Sequence, residues 1–375
     1  MSAEYRVDLD AFTRNLRRVR EAVAPAQHMF VVKDDAYAHG LDVLVRRAWN
    51  EGVRWFGAFD VITGAAVRAA TGPDARIFVW LIGGADDLAA GIAADLDLGI
   101  GDQALLDDLA ALDTRGVARV HLKIDTGLHR NGIRPEAWGA ALVQTSALVA
   151  AERARFEGIW SHISEASDAD DDDARALFLS AREAARTAGL EPRFSHLAAS
   201  AAGFARGEFR EDLVRVGAFS YGIRPAGGPG ETELGIEPIS TLVATVTAVD
   251  PEHVRLDVGS LHGLPSALSG RFDVATTAGP RRVEAIGLTS LTVAPWDAVV
   301  GETVPVFGRD ALASATDLAE LIDTIGEEIA LRVSPVVPRV YAGQGLIGKN
   351  VWMARACQLR PAHPVRIQRP SSAVT

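Results

Sequence analysis

The segment Val31-Val32-Lys33-Asp34-Asp35-Ala36-Tyr37-Ala38-His39-Gly40 ends a short apolar run with a lysine and then turns polar. Such a change is typical of the end of a buried strand. Of the 38 lysines and arginines in the chain, only Lys33, Lys123 and Lys349 are lysines. An arginine is effectively never deprotonated, whereas a desolvated lysine can lose its proton and attack a carbonyl group. Lys33, with Tyr37 and His39 close by, is therefore a candidate nucleophile.

This segment ends the first of eight apolar runs that alternate with helical patterns. The predicted strands are residues 28–33, 55–60, 76–81, 96–100, 119–125, 156–163, 194–199 and 213–219. The predicted helices are residues 11–23, 40–50, 61–70, 84–93, 102–113, 135–152 and 173–188. Eight buried strands separated by helices predict an α/β fold with a parallel (β/α)8 barrel. No G-x-G-x-x-G motif follows a strand, which disfavours an open nucleotide-binding sheet.

A turn-rich connector, Arg224-Pro225-Ala226-Gly227-Gly228-Pro229-Gly230, separates the barrel pattern from a second pattern. We therefore predict a barrel over residues 1–230 and a β-rich C-terminal domain over residues 231–375. The second pattern has predicted strands at 240–249, 253–258, 283–293 and 303–307, a helix at 316–328 and an apolar run at 329–341. No element is predicted after about residue 343.

Charge and composition limit the classes of partner. The net charge of −11 and the pI near 5.3 disfavour binding to nucleic acid or to an anionic membrane surface, so a small-molecule partner is favoured. The single cysteine, Cys357, cannot form an internal disulfide. The N-terminus has no signal-peptide core and no apolar run is long enough to span a bilayer, so we expect a cytoplasmic protein. The acidic run 170–173 predicts the start of a helix; a metal site there is the less favoured alternative.

Polar residues gather at the predicted strand ends, where the active sites of (β/α)8 barrels lie. They are Lys33, Tyr37, Lys123, Asp125, Arg130, His162, Ser200, Arg215 and Gly217. The loops after strands seven and eight often hold phosphate in barrels, and Ser200, Gly217 and Ala218 offer a hydroxyl and backbone N–H groups there. A carbonyl-binding lysine together with a phosphate site implies pyridoxal phosphate as the cofactor.

Four stretches resemble the alanine racemase family. Val31–Gly40 looks like its cofactor-lysine motif, and His121–Arg130 looks like its strand-five motif. Trp160–His162 resembles its strand-six histidine segment, and Leu213–Gly222 resembles its strand-eight signature. Helix one and Val337–Tyr341 fit as well, so the similarity spans most of the chain. It implies a fold-type III pyridoxal phosphate enzyme, a barrel followed by a C-terminal β domain.

The resemblance implies a role for each residue at the strand ends. Lys33 would be the Schiff-base lysine and a proton carrier, and Arg215 would contact the pyridine nitrogen beside His162. Tyr37, Ser200, Gly217 and Ala218 would surround the phosphate. Lys123, matching a lysine that is carbamylated in the family, and Arg130 would orient the cofactor oxygen and the substrate carboxylate. The alternative for Arg130 is an ion pair with Asp125 at the barrel rim. No metal site is predicted.

The chain departs from the family pattern where racemisation needs a second acid/base on the opposite face of the substrate. The matching turn, Gly259–Pro265, has Ser260 in place of the expected tyrosine, and no tyrosine lies between residues 222 and 340. His262 in the same turn is a candidate replacement base. Three further departures lie nearby: Ala199 stands where an asparagine is usual, Pro335 stands for a tyrosine of the phosphate site, and Ile286–Ser290 lacks the Ser-Met-Asp signature.

Three functions remain open at this point. The first is a racemase or epimerase that acts at Cα of a non-standard amino-acid substrate; Leu261, Leu264, Leu288 and Trp296 add apolar bulk where substrate contacts are expected. The second is a one-face lyase (decarboxylating, aldol-cleaving or β-eliminating) acting on an amino acid or amine with Lys33 as base. The third is a non-catalytic pyridoxal phosphate-binding protein. The resemblance also implies a homodimer in which the second domain contributes to the partner's active site.

Overall fold

The structure is a computed structural model that describes residues 3–114 and 116–344. Lys349 and the rest of the tail, for which no element is predicted, lie outside the described residues from residue 345 onward. The strands are β1 (Glu4–Asp8), β2 (Gln27–Val31), β3 (Trp55–Asp60), β4 (Arg76–Leu81), β5 (Asp97–Ile100), β6 (Ala118–Lys123), β7 (Ala154–Trp160), β8 (Phe194–His196), β9 (Leu213–Val216), β10 (Ser240–Val249), β11 (Val254–Leu256), β12 (Asp273–Thr276), β13 (Gly279–Ile286), β14 (Leu291–Val293), β15 (Thr303–Gly308) and β16 (Arg339–Ala342). The helices are α1 (Leu9–Val23), α2 (Lys33–Ala38), α3 (Leu41–Asn50), α4 (Val61–Thr71), α5 (Ala85–Ala93), α6 (Gln103–Ala111), α7 (Pro135–Ala150), α8 (Asp168–Thr187), α9 (Ser200–Ala205), α10 (Glu231–Leu234), α11 (Ala315–Glu320) and α12 (Gly326–Leu331).

Strands β2 to β9 form the barrel, and every hydrogen-bonded pair among them is parallel. The sheet runs in the order β8-β7-β6-β5-β4-β3-β2-β9, and two backbone hydrogen bonds nearly close it: Asp212 N–H to Ser195 O at 3.1 Å and Arg215 N–H to Ala198 O at 3.2 Å. The predicted (β/α)8 barrel is therefore confirmed. All eight predicted strands are present, because a parallel strand buried on both faces reads as a continuous apolar run.

A separate apolar cluster is contributed by five of the barrel strands. Its buried members are Met29, Trp55, Phe78, Trp160 and Leu213. The larger apolar cluster of the molecule includes buried residues of helices and strands from both sheets. A (β/α)8 barrel is filled by layers of inward side chains, so it is a solid support that presents its strand ends to solvent at one mouth.

The second sheet is mostly antiparallel and runs in the order β12-β13-β14-β11-β10-β1-β16, with β15 also paired to β10. Its longest strand, β10, is rich in Val and Thr, which suit a pleated surface. The predicted β-rich second domain is thus present. The predicted division at residue 230 groups Glu4–Asp8 with the barrel, whereas β1 pairs with β10 and β16 of the second sheet. The division itself stays a prediction.

Several predicted boundaries are wrong in detail. The predicted strand 283–293 is two strands, β13 and β14, joined by a turn, and the predicted helix 316–328 is two short helices, α11 and α12. Helix α1 begins at Leu9, capped by Asp8, whose carboxylate accepts the N–H groups of Asp10 and Ala11 at 2.9 Å. The acidic run lies in the first turns of α8, as predicted, behind the Ser167 cap.

Two further features of the described residues bear on function. None of their helices combines the length and the apolar character that a membrane span requires. Among the same residues there is no group of three or more His, Cys, Asp or Glu side chains arranged to hold a metal ion.

Candidate active site

The chain turns in an unusual way directly after β2. Residues 34–38 all have φ between 52° and 63°, so α2 is a left-handed turn that begins at Lys33. Each non-glycine residue in this conformation costs roughly 1–2 kcal/mol, and strain of this kind persists only where surrounding structure imposes it. The turn lifts Lys33 from the strand end, half-buried, toward the barrel mouth.

The second sheet holds this strained turn in place. Arg339 Nε donates to Ala38 O at 2.9 Å, and the Tyr341 hydroxyl donates to His39 O at 3.0 Å. His39 Nε2 lies 3.1 Å from the Tyr5 hydroxyl and 2.9 Å from Ser240 Oγ. Burial lowers the pKa of His39 to about 4, so the ring is neutral and belongs to the support of the turn.

Tyr37 lies beside Lys33 at the end of the turn. The Lys33 Nζ atom is 5.1 Å from the centre of the Tyr37 ring, which packs on the Tyr221 ring at 4.5 Å between centroids. Tyr221 in turn donates to Val31 O at 2.9 Å. Burial raises the pKa of the Tyr37 hydroxyl far above its usual range, so it stays protonated and can donate a hydrogen bond.

Backbone and hydroxyl groups face Tyr37 from the ends of β8 and β9. The Gly217 N–H donates to Ser200 Oγ at 3.3 Å, and Ala218 follows at the start of a 3-10 turn. A Cβ atom at Gly217 would lie 2.4 Å from the Tyr37 hydroxyl oxygen, so only glycine permits this approach. We call Tyr37, Ser200, Gly217 and Ala218 the hydroxyl–amide cradle.

Arg215 is buried at the end of β9 and is held by five hydrogen bonds. Its Nη atoms donate to the carbonyl oxygens of Ser161, His196 and Leu197 at 2.7–2.9 Å and to the Nδ1 atoms of His162 and His196 at 3.1 Å. Burial lowers the pKa of Arg215 to about 9, so the guanidinium remains charged at neutral pH. All five of these hydrogen bonds involve the Nη atoms, and the Nε–H of Arg215 makes none with the described residues.

His162 is neutral and has a fixed tautomer. A guanidinium only donates, so Nδ1 of His162 accepts from Arg215 and the ring proton lies on Nε2. Burial and then the positive charges of Arg215, Arg130 and Lys123 lower the pKa of His162 to about 3. A flat neutral ring therefore stands next to a fixed cation.

A buried chain of hydrogen bonds leads from Arg215 into the barrel, and the sequence did not predict it. His196 accepts from Arg215 at Nδ1, so its Nε2–H donates to His121 Nδ1 at 3.1 Å. His121 then donates from Nε2 to Asp97 at 3.3 Å. Burial opposes ionisation of Asp97, yet the hydrogen bonds of His121 and Arg76 hold its pKa below the usual range. This series of hydrogen bonds, from Asp97 through His121 and His196, holds the Arg215 guanidinium from inside the barrel.

Lys123 lies at the end of β6 in an electropositive, partly desolvated position. Its Nζ atom is 4.5 Å from the centre of the Trp160 ring and 3.3 Å from Asn131 Oδ1. Burial and then the charges of Arg215 and Arg130 lower the pKa of Lys123 to about 8. A larger share of this amine is therefore uncharged at neutral pH than for an ordinary lysine.

Arg130 is exposed at the rim of the mouth. It lies close enough to Lys123, His162 and Arg215 to lower the pKa of each. The alternative prediction, an ion pair with Asp125, is wrong, because Asp125 accepts instead from His129 at 3.0 Å and Arg134 at 3.1 Å. Asp125 is thus paired with its own loop and does not hold Arg130.

Two carboxylates at the barrel mouth also escaped the sequence analysis. Glu165 follows β7 and accepts the Ala202 N–H at 3.1 Å. Glu327 lies in the first turn of α12, and this helix packs against α2. Glu165 could have been found, because it follows a predicted strand end by two residues, whereas Glu327 has no local signal.

His262 lies in the second domain, in the 3-10 turn Ser260–His262. Its Nδ1 accepts the Gly259 N–H at 3.0 Å, so a ring proton lies on Nε2. Ser260 is exposed and borders a depression of about 660 Å³ that Arg332 and Ser334 also line. Within residues 3–114 and 116–344, no hydrogen bond joins this turn to the residues of the barrel mouth.

The structure thus gathers all but one of the predicted site residues at one mouth of the barrel. They are Lys33, Tyr37, Lys123, Arg130, His162, Ser200, Arg215, Gly217 and Ala218. A lysine, a buried arginine and a hydroxyl–amide cradle at the mouth of a parallel barrel that continues into a β domain are the arrangement that the resemblance to the fold-type III pyridoxal phosphate enzymes implies.

Comparison with known proteins identifies the family within that class. The family model described as alanine racemase, N-terminal domain, matches residues 7–225. The alanine racemase of Thermobifida fusca (strain YX) is 35% identical over 91% of this chain and 98% of its own length. That of Beutenbergia cavernae is 34% identical over 90% of this chain and 97% of its own length.

Solved structures agree with these relatives. The alanine racemase from D-cycloserine producing Streptomyces lavendulae has a TM-score of 0.85 at 28% identity, covering 92% of this chain and 97% of that one. The enzyme from Streptomyces coelicolor A3(2) has a TM-score of 0.86 at 28% identity, covering 92% of this chain and 98% of that one. The chain belongs to the alanine racemase family, whose members are pyridoxal phosphate-dependent isomerases.

Proposed function

We propose that this chain binds pyridoxal phosphate and racemises or epimerises, at Cα, an amino acid other than the usual substrate of the family. The observation that carries the proposal is that three groups lie at the same barrel mouth: the Lys33 amine, the Arg215 guanidinium and the hydroxyl–amide cradle. Two details of this chain fit the cofactor. The Nε–H of Arg215 has no partner among the described residues, and a Cβ at Gly217 would fill the space beside the Tyr37 hydroxyl.

Each of these residues would bind a different part of the cofactor. Lys33 would supply the amine that bonds to its carbonyl carbon, and the hydroxyl–amide cradle would bind its phosphate. Arg215 would donate to the ring nitrogen, with the neutral His162 ring alongside. Two residues, Lys123 and Arg130, would together orient the cofactor oxygen and the substrate carboxylate. In the family the lysine that matches Lys123 is carbamylated. When bound, pyridoxal phosphate withdraws electrons from Cα of an amino acid, so that its hydrogen can leave as a proton.

The Arg215 cation favours proton transfer over more extended chemistry. It is held by five hydrogen bonds and its charge cannot be given up at neutral pH. A permanent cation at the ring nitrogen disfavours protonation of that nitrogen and so weakens electron withdrawal by the ring. The Lys33 amine would carry the proton on one face of the substrate.

The second domain supports a substrate with an apolar side chain. Of the four residues that add apolar bulk, Leu264 and Trp296 are buried in the domain core, whereas Leu261 and Leu288 are exposed. Leu261 N–H donates to Leu288 O at 2.9 Å, so the two exposed leucines belong to adjacent backbone segments next to Ser260. In a homodimer these segments would face the partner's barrel mouth. The homodimer and the cytoplasmic location remain predictions.

Solvent deuterium exchange tests the reaction. The purified protein, loaded with pyridoxal phosphate, is incubated in D2O with the separate enantiomers of alanine, leucine and phenylalanine. A racemase is expected to place deuterium at Cα of both enantiomers, because the proton leaves one face and is replaced on the other. Mass spectrometry after chiral separation measures both products. Exchange confined to the starting enantiomer, with no inversion, would contradict racemisation.

A one-face lyase is the second candidate, and the turn at residues 259–265 favours it. Ser260 is a poor base, and Nδ1 of His262 is already engaged, because it accepts the Gly259 N–H. Loss of CO2 or release of an aldehyde in the same incubations would support the lyase. His262→Ala is expected to lower racemisation by about 10²-fold or more if His262 is the opposite acid/base. Unchanged turnover would remove it from the mechanism.

Gly217→Ala is expected to weaken pyridoxal phosphate binding by about tenfold, at a stability cost of roughly 1–3 kcal/mol. The added methyl group would meet the Tyr37 hydroxyl, which cannot swing away because its ring packs on Tyr221. Absorbance titration with the cofactor measures the affinity. Gly139→Ala is the matched control, since a Cβ there contacts nothing within 4 Å. Equal affinity of the two variants would show that the cradle does not hold the phosphate.

A further inference from the structure

Arg339 is a buried residue that joins several backbone segments. It begins β16, and its guanidinium makes four hydrogen bonds, all of them to backbone carbonyl oxygens. The Nε atom donates to Ala38 O at 2.9 Å. The Nη atoms donate to Val333 O, Ser334 O and Val337 O at 2.7–2.8 Å. A planar guanidinium has donors in fixed, diverging directions, so it can hold separate segments at once.

One of these segments is the left-handed turn that carries Lys33. We call residues Lys33–Ala38 the lysine turn. Ala38 ends it with a φ of 63°, and its carbonyl oxygen is the atom that accepts from Arg339. Left-handed backbone at consecutive non-glycine residues persists only where neighbouring groups impose it. The hydrogen bond from Arg339 is therefore one of the contacts that set the position of Lys33.

The other side of Arg339 leads to the turn at residues 259–263, which we call the serine turn. Ser334 connects the two. Its carbonyl oxygen accepts from Arg339, and its own N–H donates to His262 O at 3.1 Å. A single residue thus separates the Arg339 guanidinium from the turn that contains the candidate replacement base.

Close packing leaves the serine turn little room to move on its own. A Cβ at Gly263 would overlap Arg332 O, two residues before Ser334. On the other side of the turn, Ser260 N–H donates to Gly287 O at 2.9 Å. A displacement of the backbone around Ser334 must therefore be accompanied by a displacement of the serine turn.

We propose that Arg339 is a positioning residue that couples these two elements, so that bonding of a cofactor to Lys33 is transmitted through Ser334 to the serine turn. The inference rests on the proposed function, that the chain binds pyridoxal phosphate through Lys33. In the predicted homodimer the serine turn would face the partner's barrel mouth, so Arg339 would connect neighbouring sites. Arg339 itself takes no part in the reaction at Cα.

Hydrogen exchange followed by mass spectrometry measures the coupling on the full-length protein, first freed of cofactor and then saturated with pyridoxal phosphate. Bonding at Lys33 restrains the lysine turn, so we expect slower exchange in residues 33–40 and also in residues 259–265. In Arg339→Lys we expect the response of residues 259–265 to be lost. The affinity for pyridoxal phosphate, measured by absorbance titration, should fall about tenfold, because lysine keeps the charge but not the fork of donors.

Two further variants separate coupling from a general loss of stability. Arg68→Lys is the matched control, because Arg68 also donates to three backbone carbonyl oxygens, at 2.8–3.1 Å, in the loop before β4. That loop lies at the barrel end opposite the mouth, so the response of residues 259–265 should remain. Tyr341→Phe removes the 3.0 Å hydrogen bond to His39 O but keeps Arg339. It should weaken cofactor binding, yet the serine turn should still respond.

Unchanged exchange of residues 259–265 in wild-type protein saturated with cofactor would overturn the inference, and this measurement needs no variant. A response that survives in Arg339→Lys would also overturn it, because it would show direct contact with a cofactor in the partner's mouth. So would a response that is lost equally in Arg68→Lys.

Failure of wild-type protein to form the absorbance band of lysine-bound cofactor would instead overturn the proposed function. The role of Arg339 is tested even then, in the cofactor-free protein. Arg339→Lys is expected to speed exchange in both turns by about tenfold, since one hydrogen bond from a charged donor is lost at each, whereas Arg68→Lys should speed neither. Equal exchange in the wild type and Arg339→Lys would show that Arg339 holds neither turn.

Discussion

Replacing Lys33 by alanine is expected to abolish the visible absorbance band of lysine-bound pyridoxal phosphate and to lower turnover by roughly 10³-fold or more. The amine sits half-buried at the start of a left-handed turn that the second sheet holds in place. No other side chain of that turn offers an amine. Lys33→Arg keeps the positive charge but cannot form the covalent bond, so it should lose the band as well.

Lys123 is the rival nucleophile, and it supplies the control. Its pKa is lowered to about 8, so a larger share of it is uncharged than of an ordinary lysine, yet it lies at the end of β6 beside Trp160. Lys123→Ala is expected to keep the band. Borohydride reduction followed by peptide mass spectrometry should find the adduct on Lys33, and the mapping is simple because the chain has only three lysines. A band that survives Lys33→Ala would refute the assignment.

Arg215→Ala is expected to lower the free energy of unfolding by at least about 3 kcal/mol. Three buried carbonyl oxygens, those of Ser161, His196 and Leu197, would lose a charged donor, and hydrogen bonds to charged groups contribute roughly 1.5–3 kcal/mol each. Urea unfolding measures the loss. A second readout is the pKa of His162, which should rise because the largest charge that lowers it is removed.

Arg186→Ala is the matched control for this variant. Arg186 makes its ion pairs with Glu183 and Glu191 on the exposed face of α8. Exposed pairs contribute roughly 0–1 kcal/mol, so its removal should change stability by about 0.5 kcal/mol or less. An Arg215→Ala loss no larger than that of the control would mean that the five hydrogen bonds of the buried guanidinium do not stabilise the fold.

Local patterns were sufficient to predict the barrel. The predicted strands 55–60 and 76–81 coincide with β3 and β4, because the strands of a parallel sheet are covered on both faces and read as unbroken apolar runs. Parallel strands in a barrel also end at one mouth. Lys33, Lys123 and His162 can therefore be grouped from their positions at strand ends, although 90 residues separate the two lysines.

The pattern was insufficient where a segment's partner is distant in sequence. β1, at residues 4–8, belongs to the second sheet because it pairs with β10 and β16, which follow it by more than 200 residues. The left-handed turn after Lys33 contradicts the local preference of Asp, Ala and Tyr for right-handed backbone. It is imposed by contacts from Arg339, Ser240 and Tyr341.

The barrel, its mouth and the lysine at its first strand end can be predicted from neighbouring residues, because strands buried on both faces are continuously apolar and polar residues follow their ends. The electrostatics of the site depend instead on packing between segments that are distant in sequence. Whether a carboxylate is solvated, or which nitrogen of a histidine carries the proton, depends on what packs against it from elsewhere in the chain. That is why His162 accepts from Arg215 at Nδ1 and carries its proton on Nε2.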